Sequence, residues 1–70
     1  MKPTTYEITV RGRLGATLAA AFDGLTASAL RADTVLRGEL ADQAALYAVL
    51  DRVESLGLEL LDIRRVPASG

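Results

Sequence analysis

The sequence predicts one α+β domain with the element order βαββαβ. Three observations carry that prediction. Alternation runs from Thr5 to Leu14, an apolar helical stripe runs from Leu46 to Leu56, and Gly24 and Gly57 stand where helices should stop. Seventy residues leave room for one such domain, taken as residues 1–66, followed by a tail at 67–70.

The first strand is the plainest element. Tyr6, Ile8, Val10 and Leu14 share one parity, and Thr5, Glu7, Thr9, Arg11 and Arg13 share the other. Strict period two with β-branched residues describes a strand buried on one face. Gly15 breaks the pattern, and Leu18, Phe22 and Leu25 then recur at helical spacing among alanines. Gly24 suits a left-handed helix stop, so a short helix is expected from Ala16, then a strand from Leu25 to Leu30. The rival is one helix from Ala16 to Ala32, with Gly24 inside it at a cost of about 1 kcal/mol relative to Ala.

Arg31, Ala32 and Asp33 read as a turn into a third strand, Thr34 to Leu40. Leu36 and Leu40 share one face, and Val35, Arg37 and Glu39 the other. Gly38 in mid-strand marks a bulge or a close backbone approach. Asp42 is an apt N-cap for a helix whose stripe is Leu46, Val49, Leu50, Val53 and Leu56, with Gly57 as its stop. Arg52 and Glu54 on this helix are expected in solvent. The last strand, Leu58 to Val66, needs a bulge near Leu60 to reconcile Leu61 and Ile63 with the opposite parity of Leu58 and Leu60.

A tight connection only between the second and third strands is the ferredoxin-like, split-βαβ arrangement. Right-handed crossovers then set both helices on one face of a four-stranded antiparallel sheet in the order 4-1-3-2. On the bare face, Thr5, Glu7, Thr9 and Arg11 would lie beside Val35, Arg37 and Glu39, joined by Asp62 and Arg64. That face is either an ordinary solvated surface, or copies stack or pair through it or through an edge strand, with Arg and Glu setting the register. Arg11, Val35, Arg37, Glu39 and, on the second helix, Tyr47 are the interface candidates.

Composition removes several chemistries. The chain has no cysteine and no histidine, so disulfides, thiolate or imidazole metal ligands and Ser-His or Cys-His catalysis are excluded. Asp33, Asp42 and Asp51 read as turn, cap and solvated helix residues. No catalytic residue, metal or cofactor is expected. Net charge is −1, without the clustered basic excess of a nucleic-acid binder. No apolar run approaches the roughly 20 residues of a membrane span, and Met1 to Thr5 show no signal peptide. The expected setting is cytoplasmic. A domain this small buries only about 60% of its unfolded surface, and without disulfide or metal the remaining support is good packing or a partner chain. A homodimer, or an unidentified protein partner, is therefore expected, with no nucleic acid and no membrane.

Resemblances add to this reading. Gly12-Arg13-Leu14-Gly15-Ala16 is similar to the loop between first strand and first helix in ACT regulatory domains, at Arg13 and Gly15, with Gly12 and Leu14 where that family has Asp and Pro. The resemblance implies a small anionic metabolite held near Gly12, Arg13 and Gly15. A Gly turn before a helix also frees backbone N–H groups that suit an anion; the alternative is a connection that needs Gly for its geometry alone. Across nearly the whole chain, Tyr6 to Leu14, Phe22 to Leu25, Thr34 to Gly38, and Asp42 to Leu46 with Leu56-Gly57-Leu58 resemble a widespread family of small, uncharacterised bacterial proteins of about this length. That resemblance implies a freestanding small protein and no particular mechanism.

Overall fold

Four strands form one antiparallel sheet in the order β2-β3-β1-β4, which is the expected 4-1-3-2 read from the other edge. The computed structural model describes residues 3–67. In chain order the elements are β1 (Thr4–Val10), α1 (Ala16–Ala20), β2 (Thr26–Leu30), β3 (Asp33–Leu40), α2 (Gln43–Ser55) and β4 (Leu60–Val66). The fold is ferredoxin-like α+β. Met1 and Lys2, where the signal-peptide reading begins, and residues 68–70 of the expected tail lie outside the described residues.

Burial follows the alternation. Ile8 and Val10 of β1 and Leu36 of β3 are fully buried and meet Phe22, just after α1, and Val53 of α2 in one cluster. Both helical segments therefore cover the same face of the sheet. Leu14, Leu25, Leu46, Val49, Leu50 and Leu58 pack around that cluster while remaining partly exposed.

α2 is closed at both ends as its sequence implies. The Asp42 carboxylate accepts from the Ala45 amide at 2.9 Å, satisfying one of the helix's free N–H groups. At the other end Gly57 has φ +74°. Gly57 N donates to Glu54 O and Leu58 N to Val53 O, both at 3.0 Å. Those two bonds are the Schellman pair.

Several boundaries differ from expectation, among them β2, which starts at Thr26 and not Leu25, and β3, which starts at Asp33 and not Thr34. β1 ends at Val10 rather than Leu14, because the chain bends at Arg11 and Gly12, the latter at φ +85°. The even parity of Leu14 survives because it packs on the core from the loop. α1 ends at Ala20, and Gly24 closes a separate turn in which Leu25 N donates to Phe22 O at 3.1 Å. Its φ of +85° at the third position is the type II pattern. Residues Thr26–Leu30 are a strand, so the single long helix is excluded. β4 begins at Leu60, and its register against β1 slips where Thr9 faces Asp62 and Val10 faces Leu60. Leu61 is the extra residue, which supplies the expected bulge.

Gly38 is a close approach and not a bulge. Its pairing with Tyr6 is regular, but a Cβ there would stand 2.5 Å from Leu25 Cδ2 and 2.8 Å from Gly24 O.

Candidate functional site

The loop after β1 is tied down by the β2–β3 hairpin. Gly12 N donates to Asp33 Oδ1 at 3.0 Å, Leu14 N donates to Thr34 Oγ1 at 3.1 Å, and the same hydroxyl donates to Gly12 O at 2.8 Å. Thr34 is buried, and both bonds satisfy it. Arg13 reaches the hairpin turn itself, donating from Nε at 3.1 Å and Nη2 at 2.8 Å to the Arg31 carbonyl. Gly15 is the N-cap of α1, with extended backbone and no side-chain cap bond. Gly12, Arg13 and Gly15 thus sit together, but two of the loop's amides and the guanidinium are engaged inside the chain.

The bare face is polar, as its parity implies. Glu7 stands between Arg37 of β3 and Arg64 of β4 in the ladder, and Arg37 Nη1 meets Glu7 Oε2 at 2.9 Å. Glu39 faces Thr5, and Val35 faces Thr9. Arg64 and Asp62 approach at 3.8 Å within β4. Arg11 lies beyond the strand and pairs with Glu59 at 3.3 Å, so it is not part of this face as expected. Exposed pairs of this kind contribute about 0.2–1 kcal/mol each. Arg52, expected in solvent, donates to the Ala21 carbonyl at 2.7 Å and so ties α2 to the turn after α1.

Tyr47 is 61% exposed. It follows Gln43 by one helical turn, and Gln43 lines a shallow hollow together with Tyr6 and Arg65. Tyr47 therefore occupies the flank of α2 beside β4, away from the flank where Arg52 meets Ala21.

β4 carries what sequence reasoning left out. Leu60, Leu61 and Ile63 are 41%, 44% and 38% exposed, and Leu56 at the end of α2 is 38% exposed. Ile63 pairs with Ile8, so it points to the helix side, yet it stays 38% exposed there. The available signal was the combination of the strand order with the apolar-rich segment Leu58 to Val66, because that order leaves the last strand at an edge.

Residues 5–64 match the family described as a domain of unknown function, DUF8691. The chain belongs to this family. No curated protein and no solved structure matches it. Among the described residues, the DUF8691 chain has no group of three or more acidic side chains placed to hold a metal ion. No helix among them is long and apolar enough to cross a membrane. What this DUF8691 domain presents is a sheet face of mixed charge, a stapled loop and a partly exposed apolar edge.

Proposed function

We propose that the protein is a non-enzymatic association module of the bacterial cytoplasm that acts as a homodimer. One observation carries the reading. Of the six exposed large hydrophobic residues among the described residues, Leu56, Leu60, Leu61 and Ile63 fall within the short stretch that ends α2 and begins β4. Single exposed apolar residues are ordinary, and four of them within residues 56–63 support an interaction surface. The fully or nearly buried apolar core is six residues, so covering that group would add materially to a small domain's burial. A chain without cysteine fits the reducing compartment.

Light scattering at micromolar to millimolar concentration tests this reading. A mass twice the 7.4 kDa of one chain supports it. A monomer throughout, with no partner retained by the immobilised protein, would sink it.

An ACT-like sensor of a small anionic metabolite at Gly12, Arg13 and Gly15 has less support, because Gly12 N, Leu14 N and the Arg13 guanidinium already have partners. A thermal-shift screen against amino acids and organic acids, repeated with Arg13→Ala, separates the two readings.

A further inference from the structure

Among the described residues β4 has a neighbour on one side only, β1, so one row of its backbone N–H and C=O groups lies along an open edge. Such a row is a template for another strand. β4 is interrupted by its bulge at Leu61 and followed by Pro67, and between them it runs regularly against β1 from Asp62 to Val66. Its side chains divide by parity. Asp62 and Arg64 project from the bare face, and Ile63 projects to the helix side, where it stays partly exposed.

We propose that two copies of the chain join edge to edge through β4, antiparallel, with the two-fold axis at Ile63, so that Asp62 of each copy faces Arg64 of the other. The inference rests on the self-association proposed above and names its geometry. Residues directly opposite one another in a sheet share a face. The two-fold axis must therefore pass through a residue and not between residues. An axis at Asp62 sets Asp62 against Asp62, one at Arg64 sets Arg64 against Arg64, and one at Arg65 does the same for Arg65. Like charges directly opposite are destabilising. An axis at Leu61 falls on the bulge, where the faces no longer match. The axis at Ile63 alone pairs Asp62 with Arg64 twice, sets the partly exposed Ile63 on Ile63, and keeps like charges apart.

The other edge has no comparable feature. β2 reads Thr26-Ala27-Ser28-Ala29-Leu30, has no charge, and has one large apolar residue, so nothing selects a register. Joining at β4 yields a continuous sheet of eight strands, with all helices on one side and the polar faces of both copies on the other.

The test is a charge exchange across the axis, read by sedimentation equilibrium, with circular dichroism melting to show that each variant is folded. Asp62 and Arg64 have side chains 54% and 71% exposed, so both positions have room for the exchange. The melting curves separate any effect on the dimer from the cost of setting Asp at position 64 opposite Glu7 within one chain. Asp62→Arg and Arg64→Asp each set like charges opposite one another and should raise the dimer dissociation constant about tenfold or more. The double variant restores both pairs and should return it to within about threefold of the parent. A parent chain that stays monomeric to millimolar concentration overturns this inference and the homodimer together. A dimeric parent with unaffected single variants overturns the β4 geometry and leaves self-association standing. Weakened single variants that the double variant does not rescue overturn the Ile63 register.

Discussion

Leu25 lies so close over Gly38 that a Cβ at position 38 would stand 2.5 Å from its Cδ2. The Gly24 carbonyl, 2.8 Å away on the same side, is backbone and is held by a residue at φ +85°. The approach lets the turn before β2 descend onto β3 and brings Leu25 to the core. Gly38→Ala should therefore lower stability by about 1–3 kcal/mol, the usual cost of overpacking. Urea unfolding followed by circular dichroism checks it, and an unchanged or raised midpoint would contradict the close approach.

Thr34 holds the loop after β1 with a single hydroxyl. Thr34→Val keeps shape and burial but leaves Leu14 N and Gly12 O without their partners. Losing partners for partly buried backbone groups costs about 1–3 kcal/mol. Thr34→Ser keeps the hydroxyl and should recover most of that loss. Equal unfolding midpoints for the Val and Ser variants would show that the hydroxyl does not staple the loop.

Arg31 has φ +57° in the two-residue connection between β2 and β3. A left-handed conformation costs an L-residue roughly 1–2 kcal/mol, and glycine avoids it at an entropic cost of roughly 0.5–1 kcal/mol. Arg31→Gly should thus raise stability by about 0.5–1 kcal/mol. The bonds from Arg13 survive the change, because they reach the Arg31 carbonyl and not its side chain. A thermal midpoint below that of the parent would contradict this account of the turn.

Local signals made most of the fold legible. β1 could be recognised because one face is buried and the other is wet, and the end of α2 because Gly57 adopts the left-handed φ that its Schellman bonds require. The bulge in β4 was visible as a clash of parity at Leu60 and Leu61. What was not legible depended on distant contacts. The alanines after Ala16 favour a longer helix, yet α1 stops at Ala20 and two successive turns bring Phe22 into the core. Arg13 looked free for an anion because its partner, the Arg31 carbonyl, is a backbone atom of a hairpin that forms only in the folded sheet. The bare apolar edge at Ile63 was hidden for a related reason. Its exposure depends on where α2 lies over the sheet, which no pattern within β4 records.

Amide hydrogen exchange measured from micromolar to millimolar protein tests the central claim most directly, because it compares both open edges in one experiment. The account predicts that protection in β4, from Asp62 to Arg65, rises with concentration while that in β2, from Thr26 to Leu30, does not. Exchange in β4 that is independent of concentration, or protection that rises in β2 instead, would contradict it.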